Sequence, residues 1–456
     1  MAKRGSWRTR YGFYLLAIGS ACGLGNLWRF PYVVGENGGG AFVLLYVLLA
    51  LAIGAPLLIG ELILGKSTRK SVIVATQQMS ARAGKACIWS GRWAVLLSLV
   101  VLSYYAVISG WVLHFLTQFM VSLFTDLEGA ANKTALITLM SNGWLQFMLA
   151  SAHLLITVVV VVKGVQEGLE RWILYIMPLF AVLVALLVVR SFSLTSTPEV
   201  MRFLFYPDFS KLTLSSLIHA LGHVFFTLSV GFGTMVTYGS YMREEDHVAT
   251  AGFRVTVLDT VFSLIAIVLI FPVAFQATNK PMTDPALLFE VLPKYLLSIP
   301  GGALFGLTFF ACLYLAALNA SIGLLEVIVS NLVDSQRVKD RTRATWLSGL
   351  TALGLAAFPA LSSTVFKGFS VGGRSLIEVL DSILINWILP LTTLGILYAF
   401  YKGTTEKEKA DAFIDRDKFV SHSMYPNWIF VLKWAAPVVI VLGMVLQIVS
   451  LFVSGK

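Results

Sequence analysis

The chain has 456 residues, of which 57% are hydrophobic and only 13% charged, with mean hydropathy +0.81. Soluble domains carry about 25% charged residues, so a water-soluble fold is excluded. The roughly 260 apolar residues could fill about a dozen membrane-crossing helices of about 20 residues each. Three cysteines, Cys22, Cys87 and Cys312, exclude an extracellular disulfide scaffold, and Cys22 and Cys312, set in apolar runs, read as packing residues. The net charge of +10 reads as basic cytoplasmic loops, not as a nucleic-acid footprint.

The amino terminus, Met1-Ala-Lys-Arg-Gly-Ser-Trp-Arg-Thr-Arg10, is basic, and the apolar run after it has no clear cleavage site. A cytoplasmic amino terminus is expected. Eleven apolar segments follow, near 11–35, 41–64, 90–123, 146–162, 169–190, 215–241, 252–275, 303–333, 344–358, 375–401 and 429–453. The connections then predicted to lie inside hold about 24 of the 34 Lys and Arg residues, the asymmetry expected of cytoplasmic loops. Eleven crossings put the carboxyl terminus outside. The ninth segment is the shortest and weakest of the set. The outer connection 276–300, with Pro281, Pro285, Pro293 and Pro300, reads as a structured loop or lid, and the alternating charges of 402–427 read as a solvated inner loop. Gly168 and Pro178, with nine residues between them, would let the fifth span unwind at its inner end.

The most informative feature is a pair of interruptions. The first span contains Gly19-Ser-Ala-Cys-Gly-Leu-Gly-Asn26 and the sixth Thr227-Leu-Ser-Val-Gly-Phe-Gly233. Glycine costs a helix about 1 kcal/mol against alanine, and irregular backbone at membrane depth survives only where it lines a cavity or is buried in protein. Two broken helices five spans apart point to an inverted-repeat secondary transporter. A break exposes N–H groups that favour a carboxylate and C=O groups that favour a hard cation. Close helix packing through small residues is the alternative use of such glycines. Charges within the spans, Arg29, Glu61, Asp259 and Asp381, are costly and mark function. Arg29 and Asp381 could pair across an outer vestibule, whereas Glu61 suits either a functional role or a structural pair near the cytoplasmic face. His219 and His223 lack an acidic residue between them and do not form H-E-x-x-H. No Walker motif, nucleophile elbow or dinucleotide fingerprint stands out, so the reading is not an enzyme.

The run Gly19-Ser-Ala-Cys-Gly-Leu-Gly-Asn-Leu-Trp-Arg-Phe-Pro-Tyr32, with Glu36-Asn-Gly-Gly-Gly-Ala-Phe42 and Phe225-Phe-Thr-Leu-Ser-Val-Gly-Phe-Gly233, resembles the neurotransmitter:sodium symporter family. The resemblance covers spans one to ten. It implies an all-α polytopic membrane protein with the LeuT-type fold of the bacterial leucine transporter. That fold is a five-plus-five inverted repeat of about eleven helices, with spans 1 and 6 unwound mid-membrane. The whole chain would be one transporter domain (1–456), with repeats at 11–190 and 215–401 and a peripheral span at 429–453. The implied activity is sodium-driven import of neutral, hydrophobic L-amino acids across a bacterial plasma membrane. The short termini and eleven spans suggest the bacterial source, and the protein is expected to act as a monomer or weak dimer. An amino acid sensor and an ion channel are the rival readings.

Site residues carry over position by position. A first sodium would meet Ala21, Asn26, Thr227 and Asp259, where Asp259 stands in place of the usual Asn. Chloride-independent bacterial members have an acidic residue one turn further on, where this chain has Ser263, so Asp259 would supply the compensating charge and no chloride is expected. A second sodium would meet Gly19, Cys22, Ala316, Asn319 and Ala320. Ala320 lacks the usual serine hydroxyl, which leaves one or two sodium ions open, and Ser321 points about 100° away. Leu24, Gly25 and Tyr105 would meet the substrate carboxylate, and Phe226 and Ser229 the amino group or the lid, with Ala21 and Thr227 also counted among the substrate-binding residues. Val101, Ile108, Phe232, Ala320 and Leu324 would line the side-chain pocket. Gly23 takes the place of the Asp of monoamine carriers, which favours a substrate bringing its own carboxylate. Arg29 with Asp381 resembles an outer gate, and Arg4 with Asp334, beside Trp7, Ser240 and Tyr241, an inner one.

Overall fold

The computed structural model describes residues 6–124, 135–194, 196–278, 287–362, 364–366, 375–414 and 423–453. Nine uninterrupted helices among these residues are long and apolar enough to cross a membrane. In the order used here they are α2 (Gly40–Thr68), α3 (Cys87–Ser122), α4 (Gly143–Val162), α5 (Val165–Phe192), α7 (Val248–Thr278), α8 (Gly302–Asp334), α9 (Arg341–Leu361), α10 (Leu376–Gly403) and α11 (Met424–Val449). Two further spans are broken. Helix α1 runs Arg10–Ala21, stops, and resumes as Gly25–Arg29 and Phe30–Glu36. Helix α6 runs Leu214–Thr227, stops, and resumes as Thr234–Ser240.

The positions of all eleven segments agree with the hydrophobic pattern. The ninth is longer than that pattern suggests: 21 residues begin at Arg341, with Asp340 accepting hydrogen bonds from the N–H groups of Thr342 and Arg343 as N-cap. Its polar first turn hides the start from a hydropathy reading. The expected inner loop at 402–427 is also corrected in part. Glu406–Phe413 is a helix closed by a Thr405–Glu408 capping box. Its Lys409 is buried, holds Glu406 at 2.8 Å and lies over the Tyr401 ring. Alternating charges therefore describe the helix's exposed side, while Phe413 stacks on Trp428. Residues 415–422 of that connection lie outside the described residues, as do 279–286 of the outer connection, where Leu287–Ser298 forms a helix.

Helix α8 is the hub: 89% of its most apolar window is buried, against 22% for α11. It packs along α3, α5 and the first half of α1, and α11 packs on the first half of α6. The broken helices thus lie between a buried α3–α8 wall and the α2 and α7 helices. Helix α5 begins with a wide turn, Val165–Glu170, before Arg171–Phe192, so its inner end is wound, with Gly168 in that turn and Pro178 inside the helix.

Candidate functional site

The break in α6 is built from left-handed backbone. Ser229, Gly231 and Gly233 have φ of 53°, 86° and 78°, and a side chain on Gly231 would run into Thr393 and Leu389. Of the two readings open for Glu61, a structural pair near the cytoplasmic face is not formed: Glu61 is buried and accepts the Gly231 N–H at 2.7 Å. A carboxylate on α2 therefore holds the unwound segment of α6. At the break in α1, Cys22 N–H donates to Ile18 and Gly23 N–H to Ala21. The N–H groups that start the second half open toward Tyr105, whose hydroxyl accepts from Leu24 at 3.0 Å. That hydroxyl keeps its own proton to donate.

Between the breaks is a small cavity of about 30 Å³, lined by Ser20, Ala21, Gly23, Gly25, Asn26, Val101, Tyr105, Phe226, Thr227, Ser229, Phe232, Ala320 and Leu324. Of the expected substrate residues, ten meet in one place. Leu24 reaches it only through its backbone bond to Tyr105. Ile108, one turn along α3, is buried in the core away from the lining. Phe226 forms the outer wall, against Gly25: a Cβ there would sit 2.7 Å from the ring.

The first cation position is a polar knot in the buried core. Asn26 Nδ2 donates to Asp259 Oδ1 and Ser263 Oγ, both at 2.8 Å. Tyr46 OH donates to Asp259 Oδ2 at 3.3 Å and shares a 2.9 Å bond with Ser263 Oγ. Asp259 is fully buried, and a charge at that depth is retained only with partners or an ion. Asn26 Oδ1 is buried without a protein partner, and its residue lines the cavity. An oxygen acceptor left over beside a carboxylate suits a hard cation. Thr227 Oγ1 donates back to the His223 carbonyl at 3.1 Å. Sequence reasoning missed Tyr46 and weighed His223 only as a metal ligand. His223 stacks on Phe30 at 4.7 Å, packs beside the Tyr46 ring, and has no hydrogen bond to either ring nitrogen. Tyr46 was findable as the only hydroxyl-bearing residue in the apolar run 41–64.

The second cation position is sparser. Asn319 Nδ2 meets only the Met177 sulfur, at 3.8 Å, and Asn319 Oδ1 has no protein partner. Gly19 lies against Asn319, Met177 and Ile173, with Ala316 and Cys22 buried alongside. Ser321 does not replace the hydroxyl absent at Ala320: it points to His153 Nε2 at 2.8 Å.

The outer pair forms: Arg29 Nε lies 3.5 Å from Asp381 Oδ2. Tyr104 OH donates to Asp381 Oδ1 at 3.0 Å, and Arg29 also reaches Asn386 and lies 5.9 Å from the centre of the Phe226 ring. Above them is a vestibule of about 450 Å³. On the inner side Arg4 lies outside the described residues, so its pair with Asp334 is not seen; Asp334 accepts from Ser71 N–H at 2.7 Å. Trp7 is fixed by its N–H on the Tyr241 carbonyl and its indole N–H on the Tyr238 carbonyl. Tyr241 OH donates to the buried Glu326 at 2.6 Å, which Arg341 also holds, at 2.5 Å. Glu326 and Arg341 were not singled out from sequence: Arg341 reads as a charge at the start of α9, and Glu326, inside α8, shows its partners only in the fold.

Two broken helices around a small cavity, with a buried polar knot on one side and the Arg29–Asp381 pair above, define a secondary transporter. The family model described as the sodium:neurotransmitter symporter family matches residues 4–128 and 135–454, and the chain belongs to that family. It is a multi-pass membrane transporter coupled to sodium. An uncharacterized sodium-dependent transporter, YhdH, of Bacillus subtilis (strain 168) is 32% identical over 436 residues, 96% of each chain. Another from Haemophilus influenzae (strain ATCC 51907 / DSM 11121 / KW20 / Rd) is 30% identical over 448 residues, 96% of this chain and 97% of its own. The crystal structure of MhsT in complex with L-phenylalanine superposes with a TM-score of 0.88 at 32% identity, covering 97% of this chain and all of MhsT. The fold is therefore the LeuT type.

Proposed function

We propose that this protein imports neutral, hydrophobic L-amino acids with sodium and without chloride, by alternating access. The observation that carries the reading is the central cavity. It pairs an apolar wall of Val101, Phe232, Ala320 and Leu324 with the Tyr105 hydroxyl and the opened backbone at Gly25. Gly23 places no carboxylate there, so the substrate's own carboxylate completes the site. The phenylalanine bound by MhsT is the same chemical class.

In this reading sodium sits between the Ala21 carbonyl, Asn26 Oδ1, Thr227 and Asp259, next to the substrate carboxylate. Each ligand then raises the other's affinity by the same factor. Asp259 supplies the negative charge that an anion would otherwise provide. A second sodium at Gly19, Cys22, Ala316 and Asn319 is held by fewer oxygens, because Ala320 offers none. The cavity of about 30 Å³ holds one or two waters, so binding swings Phe226 outward after the Arg29–Asp381 pair opens. Transport rocks α1, α2, α6 and α7 against the remaining spans, as the repeats 11–190 and 215–401 exchange roles. The amino terminus is cytoplasmic, the carboxyl terminus outside, and the membrane a bacterial plasma membrane.

Uptake of tritiated leucine and tryptophan into proteoliposomes, in chloride-free gluconate, tests this. Accumulation driven by an inward sodium gradient supports the reading. Binding with no accumulation under any ion indicates a sensor, and currents far above substrate flux indicate a channel.

A further inference from the structure

A buried carboxylate outside the central site is tied to the inner end of α1. Glu170, the last residue of the wide turn that opens α5, is 2% exposed. Its oxygens accept from Arg8 N–H at 2.7 Å, Thr9 N–H at 2.8 Å and Thr9 Oγ1 at 2.8 Å. The Thr9 hydroxyl in turn accepts the Gly12 N–H at 2.9 Å as the N-cap of α1. The carboxylate thus extends the cap across two helices and sits where the positive end of the α1 dipole favours an anion. A Cβ on Gly12 would collide with the Glu170 carboxylate, so the absence of a side chain there is what admits it. Four residues back in the same turn, Gln166 Nε2 donates to the Ser6 carbonyl at 2.8 Å. One turn of α5 therefore grips the chain at residues 6, 8 and 9, immediately around Trp7, which is docked on the Tyr238 and Tyr241 carbonyls.

We propose that Glu170 is a positioning residue for transport: it latches the first half of α1 to α5 while the inner side is closed. Helix α1 cannot move away from α5 without breaking these bonds or drawing the wide turn with it. Inner opening therefore releases Glu170 and disturbs the start of α5 in one step. The proposal rests on the alternating-access reading above. It differs from the inner ion pair in acting through backbone N–H groups, so it survives any change of charge on the amino-terminal side chains.

The test uses two added-cysteine reporters in the full-length protein in proteoliposomes, each with and without Glu170→Ala, with labelling counted above that of the buried Cys22, Cys87 and Cys312. The inner reporter is Ser240→Cys, buried between the two residues that hold Trp7. The outer reporter is Ser382→Cys, which lines the vestibule. Labelling by a membrane-impermeant thiol reagent is measured from each side in sodium. Losing charge-assisted hydrogen bonds should shift the equilibrium about tenfold or more toward the open inner side. Inner labelling then rises by that factor while outer labelling falls. Glu170→Gln, which keeps one acceptor, falls between, and Thr9→Ala gives a smaller rise in the same direction. A merely structural defect lowers yield and loosens both sides together. Unchanged rates at both reporters with normal yield, or a parallel rise at both, would overturn the latch. If wild type shows sodium-driven uptake while the reporters do not respond, only the latch falls. If the reporters respond oppositely but wild type accumulates nothing, the latch stands and the symport reading falls.

Discussion

The two pockets beside α1 proposed to take sodium are built very differently. Around Asn26 the carboxylate of Asp259, the hydroxyls of Tyr46 and Ser263 and the Asn26 amide hold each other within 3.3 Å, and one oxygen, Asn26 Oδ1, is left over. Around Asn319 the amide touches only a sulfur, Ala320 brings no oxygen, and Ser321 is turned to His153. A cation entering either pocket gives up its water shell. The first pocket answers with a full negative charge and oriented oxygens; the second answers with dipoles alone. Preorganised charge costs no rearrangement when an ion arrives, so the proposed mechanism concentrates the coupling between sodium and substrate in the first pocket.

That contrast can be broken from either end. The largest effect is expected for Asp259→Ala. Removing one partner of a buried charge pair costs about 3–5 kcal/mol, so sodium-driven leucine uptake should fall more than about a hundredfold. Sodium titration of leucine binding should show the loss as weakened ion affinity. Tyr46→Phe comes next. It deletes the hydroxyl that orients Asp259 and Ser263, and a hydrogen bond to a charged group is worth about 1.5–3 kcal/mol. The sodium concentration for half-maximal uptake should rise about tenfold, with little change in the amount of folded protein. The smallest effect should be a gain: Ala320→Ser supplies an oxygen to the sparse pocket and should improve sodium affinity a few-fold, on the scale of one neutral hydrogen bond. If Ala320→Ser instead outweighs Asp259→Ala, the pockets rank the other way.

Much of this was legible in the sequence because it is local. The two Gly-x-Gly interruptions announced the breaks, and Ser229, Gly231 and Gly233 do adopt left-handed backbone at the second one. Arg29 and Asp381, far apart in sequence, were matched by their depth in opposite spans. What escaped was set by packing between distant segments. Tyr46 reaches Asp259 across 213 positions, and an apolar run carries no mark of which face its one hydroxyl will take. Glu61 looked like an inner-end charge because its position along α2 says nothing of the unwound backbone beside it. Glu170 is one of several charges at the start of α5, and only the placement of Thr9 and Gly12 against it gives it a partner.

The most direct test of the central claim compares wild type with Asp259→Asn, each driven by a sodium gradient in chloride and in gluconate. The account predicts that wild type accumulates leucine equally in both. Asp259→Asn keeps the oxygen ligand but loses the charge, and is predicted to work only when chloride is present. A wild-type protein that needs chloride, or an Asp259→Asn variant as active in gluconate as wild type, would contradict it.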